Sequence, residues 1–205
     1  MNELDQMVIK CHTLFMKYGI KSVSMDDIAR ELGISKKTIY QYVSDKNELV
    51  SKAFDFDQMC MQDKLDVLNF DHLNAIDQIF EAEKMILSML REHNPAVIYD
   101  LKKYYPSIYT KMVATRREKV SEFIIDNIEK GKRELFFREE IDAEIMAKFY
   151  LLRIEGIVDG DILTLEEYTS IKWVKELLNY HLRGITTPLG LEYFEKKFVE
   201  FNLEF

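Results

Sequence analysis

Between residues 35 and 46 the chain concentrates side chains that can donate hydrogen bonds to a polyanion. Ser35, Lys36, Lys37 and Thr38 follow one another, Tyr40, Gln41 and Tyr42 come after a single isoleucine, and Lys46 closes the run. Ammonium, hydroxyl and amide groups at this density suit contacts to phosphate oxygens and base edges. Bond-breaking chemistry finds no comparable cluster. His12, His72, His93 and His181 are scattered, with no nucleophile or metal-spaced carboxylates beside them, so an enzyme is not expected. Asp77, Glu81 and Glu83 are read as a solvated charged face rather than as metal ligands. No glycine-rich phosphate loop is present, and neither a cofactor nor a metal is expected.

Short helices position those donors. Leu4, Met7, Val8, Cys11, Leu14, Phe15 and Tyr18 keep the three-and-four spacing of one helical face, and Gly19 stops it. Ser24 and Asp27 form a capping box for a second helix that buries Ile28, Ala29 and Leu32 and ends at Gly33. Ser35 caps a third helix through Tyr40 and Tyr42, and Asp45 with Glu48 opens a fourth. Two short helices around a glycine, in Ser24–Lys46, are the arrangement in which the second helix lies in the major groove of duplex DNA. Its first turn carries Ser35 to Thr38, where an anion is also favoured. Ile28, Ala29, Leu32, Ile34, Ile39 and Val43 are expected to pack the three helices together.

Ser24, Ile28-Ala29, Leu32-Gly33-Ile34, Ser35, Thr38, Ile39-Tyr40, Tyr42 and the stretch Lys46–Leu49 together resemble the DNA-binding domain of the TetR family, ungapped, over roughly residues 4 to 50. That resemblance implies a transcriptional regulator in which Ser24, Lys36, Lys37, Thr38, Tyr40, Tyr42 and Lys46 touch DNA; Ser35 and Gln41 are added from their positions. The remainder of the chain resembles the family in architecture only. The implied fold is all-α. A helix-turn-helix domain over residues 1–50 precedes an all-helical effector-binding and dimerisation domain over 51–205.

Charge distribution agrees with this division. The chain carries a formal net charge of −8, which taken alone disfavours a polyanionic partner. Residues 1–50 nevertheless hold seven Lys plus Arg against seven Asp plus Glu, so the acidic excess lies entirely in the rest. Only seven Gly and three Pro interrupt 205 residues, the composition of a folded helical protein. Neither a signal peptide nor an apolar stretch of the roughly 20 residues that span a bilayer is found, and a cytoplasmic protein is expected. Cys11 and Cys60 sit in helical apolar patterns, as buried thiols would.

Beyond Phe54 the helical period predicts helices at about 46–66, 72–92, 95–103, 106–130, 142–158, 164–183 and 189–201. Gly131 suits a helix C-terminus, Thr164 with Glu167 a capping box, and Asp142 an N-cap with Ile141 and Met146 as a hydrophobic staple. Met and aromatic residues suit an adaptable apolar pocket for a small-molecule effector. The candidates are Phe56, Met59, Met89, Tyr99, Tyr105, Tyr109 and Met112. From the resemblance, the helices at 142–158 and 164–183 make a four-helix bundle with a second copy, through Phe149, Leu152, Gly156, Trp173, Val174, Leu177, Leu178 and His181. A homodimer presents two recognition helices to a palindromic operator. The expected function is that of a ligand-responsive repressor. The alternative is a ligand-sequestering or protein-interaction module that keeps the fold without an operator, against which the donors at Lys36, Lys37, Thr38 and Lys46 argue.

Overall fold

The computed structural model describes residues 3–67, 72–91, 94–159, 164–168 and 170–203. Among these, regular structure is helical throughout, apart from one isolated antiparallel bridge between Phe137 and Thr186. The helices are α1 (Glu3–Tyr18), α2 (Met25–Leu32), α3 (Lys36–Ile39), α4 (Lys46–Val67), α5 (Ala75–Arg91), α6 (Pro95–Tyr104), α7 (Pro106–Arg133), α8 (Ala143–Asp159), α9 (Leu165–Tyr168), α10 (Ile171–Ile185) and α11 (Pro188–Leu203). No helix among the described residues is long and apolar enough to cross a membrane.

Two compact units divide the chain: Met1–Asn69 with His93–Thr115, and Phe70–Glu92 with Arg116–Phe205. The first unit buries Met7, Val8, Cys11 and Phe15 of α1 against Ile28, Ile39, Val43 and the α4 residues Leu49, Val50, Ala53 and Phe54. Val97, Leu101 and Tyr105 join the same core. Fully enclosed side chains of this size each contribute on the order of 1.5–3 kcal/mol, so this core fixes the short helices that could not stand alone. Burial also pushes the Cys11 thiol up to about 12, leaving it protonated and inert; the side chain of Cys60 lies outside the described residues.

The second unit is built on Ile76, Phe80, Leu87, Ile128, Phe137, Leu182 and Phe194. Three local expectations change here. Gly131 does not end its helix: α7 continues to Arg133, and the ring of Phe137 lies so close to Gly131 that no Cβ would fit. Instead Leu135 takes the left-handed conformation, at φ 62°. The helix expected at 164–183 is two pieces, because Ser170 caps α10 by accepting from the backbone N–H of Trp173 at 3.3 Å. Thr164 and Glu167 do form their reciprocal box, opening only the single turn of α9. Finally, Glu83 is not part of a solvated face: it is buried and pairs with Arg153 at 2.7 Å, as a buried carboxylate must to offset its lost hydration.

Candidate nucleic-acid interface

Ser24 has extended backbone (φ −89°, ψ 165°), which lets its Oγ accept from the N–H of Asp27 while the Asp27 carboxylate accepts from the Ser24 N–H. The Ser24 hydroxyl proton also goes to Asp27, at 2.5 Å. These bonds hold the Asp27 carboxyl below its usual value. Ser24 in this geometry is fully engaged as a cap, and its hydroxyl offers no spare proton to a phosphate. At the other end of α2, Gly33 stands at φ 68° and its N–H reaches back to the carbonyls of Ala29 and Arg30. This left-handed residue reverses the chain within one position, a conformation costing roughly 1–2 kcal/mol for a side chain with Cβ.

Ser35 then caps α3, accepting from the Thr38 N–H at 3.1 Å, with its hydroxyl 2.9 Å from that of Thr38. The α-helical part is one turn, Lys36–Ile39, continued by turn hydrogen bonds from Gln41, Tyr42 and Val43 to Thr38 and Ile39. Ile39 is wholly enclosed and Val43 nearly so, which fixes which side of this segment faces out. Outward lie Lys37, Gln41 and Tyr40, with Thr38 partly accessible. Ile34, expected to join the three-helix core, is exposed instead: it directly follows the left-handed glycine, where the chain is at the surface.

Beyond Ser24, Ser35 and Thr38, three more of the expected donors have protein partners. Lys36 pairs with Asp26 of α2 at 3.0 Å, and the hydrogen bond to Asp26 raises its affinity for its proton. Both side chains are well exposed, so water and salt screen the pair and it yields readily to a phosphate. Tyr42 donates its hydroxyl to the carboxylate of Glu3. Lys46 turns inward: its ammonium donates to the carbonyl of Ile20 at 2.6 Å and to that of Val23. Partial burial, and after it Lys21, pulls the Lys46 value below that of an ordinary lysine. Lys46 thereby clips the α1–α2 turn. Asp26 and Glu3 were missed by sequence reasoning, since nothing local marks a contact across ten or thirty-nine positions. Arg30, exposed on α2 beside Asp27, could have been noticed as a further cation on the same segment.

The effector candidates are distributed over both units. Phe56, Tyr109 and Met112 are half-buried against the first core and Tyr105 is buried in it; burial raises the Tyr105 hydroxyl. Met59 and Tyr99 are 65% and 57% exposed, and Tyr99 accepts from the Lys103 ammonium at 2.7 Å. Met89 belongs to the second unit, and its side chain lies outside the described residues.

For the interface candidates, direction separates the eight. Phe149 and Leu152 of α8 are 58% and 66% exposed, and Ile145, four before Phe149, extends the same stripe. Trp173 and Leu177 on α10 are half-buried, and Tyr180, three further on, is 83% exposed. Val174 and Leu178 point the other way, into the core of their own unit. His181 rests edge-on against Tyr150 with ring centres 4.8 Å apart. Burial, and then Arg153, pushes it down to about 4. Gly156 has no described surroundings.

Residues 12–53 match the family model for bacterial regulatory proteins of the tetR family. Over 169 residues the chain is 23% identical to the uncharacterized HTH-type transcriptional regulator YvaF of Bacillus subtilis (strain 168), covering 80% of this chain and 86% of that one. Its fold is similar to that of a transcriptional regulator from Cytophaga hutchinsonii, with TM-score 0.74 and 18% identity over 90% of this chain and 99% of that one. It is also similar to a TetR transcriptional regulator from Chloroflexus aurantiacus J-10-FL, with TM-score 0.69 and 21% identity over 89% and 96% of the two chains. The capped, glycine-turned pair α2–α3 and the outward donors it carries therefore lie within a segment, residues 12–53, that matches the DNA-binding domain of the tetR family, and the all-helical remainder has the fold of the regulators it resembles.

Proposed function

We propose that the chain is a ligand-responsive repressor that binds a palindromic operator as a homodimer and is released by a small-molecule effector. Residues 1–50 read DNA in this account and residues 51–205 bind the effector and the second copy, in the cytoplasm, without enzymatic activity. The observation that carries the reading is the outward placement of Lys37, Thr38, Tyr40 and Gln41 on a segment anchored by enclosed Ile39. Amide and ammonium groups so placed match base-edge and phosphate chemistry in a major groove.

The exposed apolar row Ile145–Phe149–Leu152, and half-buried Trp173 and Leu177 leading to exposed Tyr180, support pairing with a second copy, because apolar surface of this kind is expensive to leave open. A two-fold pair sets recognition helices roughly 34 Å apart, or a multiple of it, matching half-sites one helical turn apart. An effector bound among helices before residue 130 would move α4 and alter that separation. A coupling of about 1–3 kcal/mol suffices for a 5- to 150-fold loss of affinity. The competing module without an operator is disfavoured by retention of exposed Lys37 and Gln41 beside the yielding Lys36–Asp26 pair.

The test is selection from a random-sequence duplex pool by the purified protein at about 0.1 M salt, followed by sequencing. An enriched inverted repeat, bound by two chains, is the expected result. Weak binding with no repeat from a folded dimer would replace this reading with the interaction module.

A further inference from the structure

The turn between α1 and α2 is held by more bonds than its own six residues supply. From α6, the buried carboxylate of Asp100 accepts from the backbone N–H of Lys21 at 2.7 Å. Asn94, the cap of α6, reaches the carbonyl of Lys17 at 3.5 Å, and the Lys21 ammonium lies 4.5 Å over the ring of Tyr104. Gly19, left-handed at φ 82°, brings its backbone so near α6 that a Cβ would sit 3.4 Å from Asp100 Oδ2. From α4, Lys46 donates to the carbonyls of Ile20 and Val23. Val23 is followed by Ser24, which caps α2. All of these groups belong to one compact unit.

We propose that Asp100 is a positioning residue for DNA reading: through the Lys21 N–H it ties α6 to the turn that orients α2 and α3, so that operator fit depends on a helix outside residues 1–50. The idea rests on the operator-binding reading above. A buried carboxylate bonded to a single backbone N–H has a steep cost of removal and a strict geometry. Asp100 and Lys46 approach the turn from different helices and carry opposite charges, so they hold it as a clamp. Displacement of either helix carries the turn, and with it the start of α2. Lys46 alone fixes the turn to α4; Asp100 adds α6, ten residues long and ending at the start of α7.

Two measurements on the full chain test this. In amide hydrogen exchange, Asp100→Ala is expected to speed exchange at Lys21 roughly tenfold or more, leaving α8 amides unchanged, while Asp100→Asn, whose amide oxygen can accept the same bond, keeps protection. Unchanged exchange at Lys21 in Asp100→Ala overturns the proposal. In binding to the selected operator, wild type is compared on duplexes with one base pair inserted or removed between half-sites. Asp100→Ala is expected to lower that discrimination several-fold, since the reading helices lose a fixed separation. A merely structural role would reduce the active fraction equally for every spacing, so an unchanged ratio also overturns the proposal. If Asp100→Ala fails to fold, Asp100→Asn decides: a ratio within about twofold of wild type is expected, and its collapse contradicts the hydrogen-bond argument. A wild-type protein that selects no operator would defeat the proposed function, and the exchange measurement would still decide the clamp.

Discussion

Replacing Gly131 by alanine tests whether the packing around the Phe136–Phe137 turn is as tight as it looks. An added Cβ would stand 2.0 Å from Cδ2, 2.4 Å from Cε2 and 2.6 Å from Cγ of Phe137. To restore ordinary contact the ring must retreat by about 1.4 Å. It has nowhere cheap to go, because Phe137 is 2% exposed and its backbone is bonded on both sides. The N–H groups of Phe136 and Phe137 donate to the Gly131 carbonyl, and that of Arg138 to Ile185. Overpacking of this kind costs about 1–3 kcal/mol, and the upper end applies to a ring and a backbone held together. Alanine in a helix regains about 1 kcal/mol over glycine, so a net loss of about 2 kcal/mol is expected. For a chain of this length that lowers Tm by about 4–8 °C, readable by calorimetry or circular dichroism. A second substitution, Phe137→Leu, removes the clash, so its effect in the Gly131→Ala background should be milder than alone by about 1 kcal/mol or more. A Tm unchanged or raised by Gly131→Ala would refute the reasoning.

His181, pushed down to about 4 by burial, is neutral in the folded chain, whereas the unfolded chain takes up its proton near 6.5; its contribution is complete above about pH 6.5 and is lost as pH falls toward 4, up to about 3 kcal/mol. Urea unfolding at several pH values should show His181→Phe flattening that acid limb, and an unaltered limb would contradict it. Phe149→Glu with Leu152→Glu should leave a folded chain that sediments as a monomer at micromolar concentration, since both side chains are on the surface; a persistent dimer would place the interface elsewhere. Lys37→Ala should reduce the slope of log affinity against log salt by about 0.9 while leaving sequence preference unchanged, and an identical slope would remove Lys37 from the phosphate contacts.

Local signals in the sequence were reliable where the physics is local. The boxes at Ser24 with Asp27 and at Thr164 with Glu167 form as their spacing demands, and Asp142 caps α8 by accepting from the Ile145 N–H at 3.0 Å. Among the described residues, hydrophobic period located the long helices, though it ran α9 and α10 together, and it reports only that a face is apolar. It does not say whether the chain covers that face itself, as it does for Val174 and Leu178, or leaves it open, as for Phe149 and Leu152. Long-range polar pairs were illegible for the same reason: Glu83 meets Arg153 and Asp100 meets Lys21 only because packing brings distant helices together. Lys46 shows the consequence for the site. Its residue type and position suit a phosphate contact, and folding spends its ammonium on two carbonyls of the α1–α2 turn.

The central claim is that the outward face of Lys36–Tyr42 reads bases, and Gln41 is its most discriminating member because an amide can pair bidentately with adenine. Sequences selected from a random duplex pool by wild type and by Gln41→Ala should be compared side by side. The account predicts an inverted repeat for wild type and, for Gln41→Ala, relaxed preference at one base pair placed symmetrically in both half-sites. Identical selected sequences for the two proteins would contradict it.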